Sequence, residues 1–206
     1  MKVRVNSRSG FTLIEVLIAS VIFALISVNI AMVTRTGSQA TANGLMRELL
    51  DSELDLTLDR IKLALMSASA DNVYPQVSAP ASNERIEFST SLGVEAGVHV
   101  MGDPERIEWI PTENETGRVI WTQAAGLPNE RKIQWSKSVP TLQNKEVINL
   151  GDDNFNGLVD EPGLSFHMNH ASDEEMQVFI TLTVTKTDAS GKQVPANRQV
   201  NITCRN

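Results

Sequence analysis

The sequence predicts an α+β protein: one long N-terminal helix packed on a mostly antiparallel β-sheet domain. Three observations predict it. An apolar run from Phe11 to Val33 contains no Pro and no Gly. Apolar residues then recur at helical spacing as far as Leu65. From Arg85 onward the pattern changes to alternation, and strand succeeds strand with no helix between, which segregates α from β and favours antiparallel pairing.

Residues 1–10 read as a basic leader. They carry Lys2, Arg4 and Arg8 and no acid, so the chain's formal charge of −7 leaves −10 for the remainder. Bases ahead of an apolar run orient the N-terminus to the cytoplasm and send the C-terminal remainder across the membrane. An acidic domain without a basic cluster argues against nucleic acid as a partner.

Residues 11–33 form the transmembrane half of the helix. At ~1.5 Å per residue they span about 35 Å, enough to cross a bilayer with some tilt. Residues 34–70 form its amphipathic half. Met46, Leu50, Leu54, Leu58, Ile61 and Leu65 make an apolar stripe among Arg47, Glu48, Asp51, Asp55, Asp59 and Lys62. Gly37 and Gly44 mark a place for the helix to bend or loosen. Small and polar residues at Ser67–Asp71 predict its end.

Residues 71–206 form a β-rich globular domain. Pro75 and Pro80 make Tyr74–Asn83 a loop. Short strands come next at Arg85–Ser89, Arg106–Ile110, Arg118–Thr122 and Lys132–Trp135, with Ile86/Phe88, Ile107/Trp109, Val119/Trp121 and Ile133/Trp135 on one face. Leu164–Met168 is another. Gln177–Thr185 and Gln199–Cys204 alternate most clearly, joined by a polar hairpin loop. The three Trp residues read as core rather than a ligand box. Cys204 is the one cysteine, so no internal disulfide forms; it reads as a small inward residue, or else as half of an intermolecular bridge. His167 and His170 lack metal-pair spacing on a helix and read as ordinary strand and loop histidines. No nucleophile elbow, phosphate loop or C-x-x-C is present, so the chain is not expected to be an enzyme.

One segment has metal-ligand spacing. With Asp152 at position 1, oxygen donors fall at 1, 3 and 5 (Asp152, Asn154, Asn156), with Gly157 at 6 and the Leu158 carbonyl at 7. Asp160 stands at 9, and Glu161 or Asp153 supplies the missing oxygens. Position 12 is Gly163 and Pro162 blocks an exiting helix, so this is not an EF-hand. It resembles shortened D-x-N-x-N-G-x-x-D-E loops that hold Ca2+ without flanking helices. The competing reading is a polar turn with no ion.

The most specific stretch is Ser9-Gly10-Phe11-Thr12-Leu13-Ile14-Glu15-Val16-Leu17-Ile18. It sets a small residue and a Phe at the boundary between leader and apolar run, with a single carboxylate inside the run. A charge there costs a few kcal/mol on insertion scales and is functional by default. A secretory signal has a shorter apolar region and an A-x-A-like site. A plain anchor leaves G-F-T-L-I-E unexplained. The stretch resembles the class III signal of type IV prepilins and type II secretion pseudopilins. The resemblance implies that prepilin peptidase cuts after Gly10 and methylates the new terminal Phe11, and that Glu15 pairs with the amino terminus of a neighbouring subunit during filament assembly. It implies a pilin-like fold, and sibling pilins or pseudopilins and an inner-membrane assembly platform with its cytoplasmic ATPase as further partners. The globular domain would lie in the periplasm. The final I-T-C-R-N resembles the C-termini of larger minor pilins and pseudopilins. The function expected is a minor subunit of a type II secretion pseudopilus. The alternatives are a minor type IV pilin for adhesion or DNA uptake, or a membrane-tethered periplasmic enzyme.

Overall fold

The computed structural model describes residues 12–113, 116–172, 175–188 and 190–205. Helix α1 spans Leu13–Leu65. Eight strands come after it: β1 (Ala68–Tyr74), β2 (Arg85–Glu95), β3 (Val98–Pro111), β4 (Thr116–Gln123), β5 (Arg131–Pro140), β6 (Leu164–Ser172), β7 (Glu175–Thr187) and β8 (Gln193–Arg205). They form an antiparallel five-stranded meander in the order β1-β2-β3-β4-β5 and a three-stranded sheet in the order β6-β7-β8. The α+β expectation holds: one long helix, packed through its second half against mostly antiparallel sheet.

The chain divides into two compact units between Leu45 and Met46. Among the described residues, the first holds the apolar run of α1 and the more polar turns 34–45 that come after it. The helix runs unbroken through Gly37 and Gly44, so neither interrupts it. Each lacks any neighbour within 4 Å of where a Cβ would stand, and intrahelical hydrogen bonds alone carry the backbone past them.

The second unit is organised by the predicted stripe. Leu50, Leu54, Leu58, Ile61 and Leu65 are all buried, and they share one core with both sheets. The five-stranded sheet contributes Ile86, Phe88, Ile107 and Val119, and the three-stranded sheet contributes Phe166, Val178, Ile180 and Leu182. Polar clips tie the same helix to each sheet. Glu53 accepts a hydrogen bond from Ser136 of β5 at 2.9 Å and pairs with Lys186 of β7 at 3.3 Å. Asp55 pairs with Arg198 of β8.

The structure departs from the sequence expectation in three places. The helix ends two residues before Ser67, and 68–74 form strand β1 instead of trailing into a loop. Ala-Ser-Ala-Asp-Asn-Val-Tyr has little intrinsic strand character, and pairing with β2 overrides it. Next, β2 and β3 extend into a hairpin closed at Ala96–Gly97, both at positive φ (52° and 82°), the geometry of a type I′ turn. Its distal part is solvated, so no burial pattern marks it in the sequence. Finally, Ile133 and Trp135 are only half-buried, and Ser136 and Val139 are the buried residues of β5. Register shifts against β4 around Val119 rotate the inward face. Trp109 is buried with its indole donating to the Val139 carbonyl, while Trp121 and Trp135 stack at 5.1 Å beside the core.

Cys204 is buried, and its thiol donates to the Leu65 carbonyl at 3.6 Å. Burial raises its pKa to about 11, which suppresses the reactive thiolate. His167 is half-buried and stacks on its cross-strand partner Phe179 at 4.8 Å.

This packing sets two expected outcomes. Gly163 sits where a Cβ would lie 2.0 Å from the Pro140 carbonyl oxygen, a backbone atom that cannot swing aside. Gly163→Ala should therefore cost about 2–3 kcal/mol in urea unfolding; an unchanged midpoint would show that the strand entry relaxes freely. Burial lowers the His167 pKa, so the folded state prefers the neutral ring. That preference carries no penalty above the ordinary value of 6.5 and costs stability as the pH falls through it. Unfolding between pH 7.5 and pH 5, on the scale set by an unperturbed His pKa of about 6.5, should show an acid-side loss that His167→Gln reduces. An identical slope in the variant would exclude His167 as its source.

Candidate functional site

The sequence-predicted site residues fall in two places, the start of α1 and the connection from β5 to β6. Gly10 and Phe11 lie outside the described residues.

At the start of α1, Thr12 and Glu15 satisfy each other. The Glu15 carboxylate accepts from the Thr12 backbone N–H and hydroxyl, both at 2.9 Å, while the Glu15 N–H donates to the Thr12 hydroxyl at 3.3 Å. This is a reciprocal capping box, which satisfies donors that a helix start otherwise leaves without partners. Thr12-x-x-Glu15 has the spacing of that signature, a role for Glu15 that the sequence reading missed. The capping matters to the chemistry, because a carboxylate already held by donors enters an apolar phase at lower cost than a bare one.

Beyond the cap, α1 is long and apolar enough to cross a membrane, with a window of mean hydropathy 2.6 that is wholly exposed. Its few polar side chains are internally satisfied. Ser27 and Asn29 donate to the carbonyls of Phe23 and Leu25, each at 2.8 Å, and Thr34 donates to Ile30 at 2.9 Å. Lipid contact therefore strands none of these donors.

The second half of α1 has an outer apolar face as well as an inner one. Leu49, Leu56 and Leu63 are more than half exposed and recur every seven residues. At about 100° per residue they lie roughly opposite the buried stripe. Periodicity alone shows one stripe here, because both sets are leucine-rich. Burial separates the two.

The connection 141–163 is pinned at its base. Gln143 is buried, its amide donating to the carbonyls of Pro162 and Gly163 at 3.0 and 3.1 Å and its oxygen accepting from Thr183. The Gln143 N–H donates to the Glu161 carbonyl, and Leu142 bridges Pro162. The predicted donors then divide. Asp152 accepts from the N–H groups of Asn156 and Gly157, at 3.1 and 2.8 Å. Asp160 accepts from the N–H groups of Asn149 and Leu150, both at 2.9 Å. Asp153 takes the Asn149 side-chain amide at 2.9 Å. These three acids close turns. Gly157 takes the expected sharp turn, with φ of 89°, and Leu158 buries its side chain.

Glu161 behaves differently. It is fully buried and faces the side-chain amides of Asn154 at 3.1 Å and Asn156 at 2.5 Å. Beside it lies Glu146, also buried, which accepts from the Asn154 N–H at 3.1 Å. Burial first, and then the charge of Glu161, raise the Glu146 pKa above the ordinary Glu value. Glu146 stands outside the 152–161 run, so loop spacing gives no signal for it. Among the described residues no three His, Cys, Asp or Glu side chains converge into a metal-holding group.

Comparison with known protein families matches residues 5–28 to the prokaryotic N-terminal methylation motif. No curated protein and no solved structure matches the chain. The match encloses Gly10, Phe11, the Thr12–Glu15 capping box and the first turns of the exposed apolar helix, so this chain carries at its N-terminus the class III signal of type IV pilins and pseudopilins.

Proposed function

We propose that this protein is a minor subunit of a type II secretion pseudopilus, with a structural rather than a catalytic role. The observation that carries the reading is the methylation motif at residues 5–28, which encloses Gly10, Phe11 and Glu15. The motif implies prepilin peptidase as the processing enzyme and other pilins as assembly partners. The leader's positive charge supports an N-terminus in the cytoplasm and a globular domain in the periplasm. Two features of α1 support assembly. Its first half offers apolar side chains on every side, which suits lipid before assembly and other helices after it. The half that packs on the protein's own sheets keeps a second apolar face, Leu49, Leu56 and Leu63, turned away from them.

Glu15 is the chemical hinge of the proposal. Its capping partners Thr12 N–H and Thr12 Oγ are neutral donors. The amine released at Phe11 of a neighbouring subunit would be a charged one, and a charged donor is roughly twice as strong. Exchanging the first for the second rewards assembly over free diffusion in the bilayer.

The mature protein should begin at N-methyl-Phe11 when extracted from membranes and read by mass spectrometry. An N-terminus retained at Met1, or one beyond Val33, would defeat the proposal. Glu15→Ala should leave cleavage and insertion intact, while co-purification with sibling subunits falls by at least about tenfold, the equivalent of one lost charge-assisted contact of about 1.5–3 kcal/mol. Undiminished co-purification of the Ala variant would remove Glu15 from the assembly contact.

A further inference from the structure

Five acids, Glu146, Asp152, Asp153, Asp160 and Glu161, stand in the 23 residues between Pro140 and Leu164. None of them takes part in an ion pair among the described residues. Three have their oxygens engaged by N–H groups of the turns they close. The remaining two, Glu146 and Glu161, are buried side by side. Two carboxylates out of water at close range repel strongly unless something positive stands between them.

The unsatisfied atoms locate that something. Glu146 Oε2 is buried with no hydrogen-bond partner, on a side chain only 7% exposed. Asn154 Oδ1 is likewise buried and without a donor. Exchanging the oxygen and nitrogen of the Asn154 amide offers no escape, because it would set an oxygen against Glu161 Oε2 in place of the present 3.1 Å hydrogen bond. A proton shared between Glu146 and Glu161 would relieve the carboxylates, yet it would leave Asn154 Oδ1 unpaired. A cation answers both orphaned acceptors and both carboxylates at once, as a shared proton does not.

We propose that the β5–β6 connection binds a divalent cation of the calcium class, held by the carboxylates of Glu146 and Glu161 and the side-chain oxygen of Asn154. All three donors are hard oxygens, with no nitrogen or sulfur to favour a transition metal. Asn156 stays a donor to Glu161, its own oxygen accepting from the Leu158 N–H at 2.9 Å. Asp152 and Asp160 shape the loop and do not ligate. The site therefore differs from the linear spacing 152–161, because it recruits Glu146 from the other limb of the connection. Bound there, the ion ties residue 146 to residues 154–161 and fastens the segment that joins the two sheets. The proposal stands independently of the filament reading.

The test uses the full chain in detergent, stripped with a chelator and titrated calorimetrically with calcium chloride or magnesium chloride, alongside thermal melts. One calcium per chain should bind and raise the melting midpoint by several degrees. Magnesium should bind at least about tenfold more weakly, because it demands a tighter octahedral shell. Glu146→Gln and Glu161→Gln should each weaken calcium binding by at least about 30-fold, while melting no lower than wild type in chelator, since each removes one of two facing charges. Asp160→Asn should stay within about threefold of wild type. If Glu161→Gln does not fold, Glu146→Gln decides alone. Absence of calcium binding by the wild type, retention of wild-type affinity by Glu146→Gln, or loss of binding confined to Asp160→Asn would each overturn the proposal.

Discussion

A single continuous helix has to meet two burial demands, and the rest of the molecule is arranged around that constraint. The backbone of α1 satisfies its own hydrogen bonds through 53 residues, so the environment is free to change along its length while the helix persists. In the first half every side is apolar and exposed, and polar side chains bond back to the helix's own carbonyls. In the second half one stripe is buried by protein. The five buried apolar residues from Leu50 to Leu65 contribute gross burial of about 10 kcal/mol, an upper figure because the unfolded chain already hides some apolar surface.

Both sheets depend on that stripe. Each turns its apolar side to the helix, and the three elements close a single core. Glu53 carries the arrangement into polar chemistry, since one carboxylate reaches Ser136 on one sheet and Lys186 on the other. The link between the sheets, residues 141–163, is long and acidic. It is held at its base by Gln143, whose side chain meets three backbone carbonyls and Thr183. The acids beyond that base take up positions that a cation would reconcile.

Much of this is legible in the sequence, and the parts that are not have physical causes. The helical stripe, the alternating strands β6 to β8 and the inward Cys204 come from periodicity, because burial on one face leaves a period that composition cannot hide. Strand β1 buries Ala68, Ser69, Ala70 and Val73 in an irregular order of mostly small residues, and the distal β2–β3 hairpin is solvated and held by pairing, so neither carries such a period. Around β4 and β5 the period is present but is shifted by bulges, which makes Ser136 a core residue and leaves Ile133 at the margin. Of the side chains proposed above for an ion, spacing offers Asn154 and Glu161. It cannot find Glu146, which arrives through the folded path of the chain and not through its local order. The N-terminal signal is the opposite case: its information is local and chemical, so a few residues suffice.

If α1 becomes the shared element of an assembly once the leader is removed, its exposed leucine face should meet sibling subunits. The most direct measurement places a photo-crosslinking amino acid at position 56, on that face opposite the core, in living cells. Cross-links to proteins that carry the same N-terminal signal are expected, and so is their loss when Gly10→Val prevents cleavage. Cross-links that persist unchanged in the uncleaved variant, or none to such proteins in the cleaved one, would contradict a filament role for this helix.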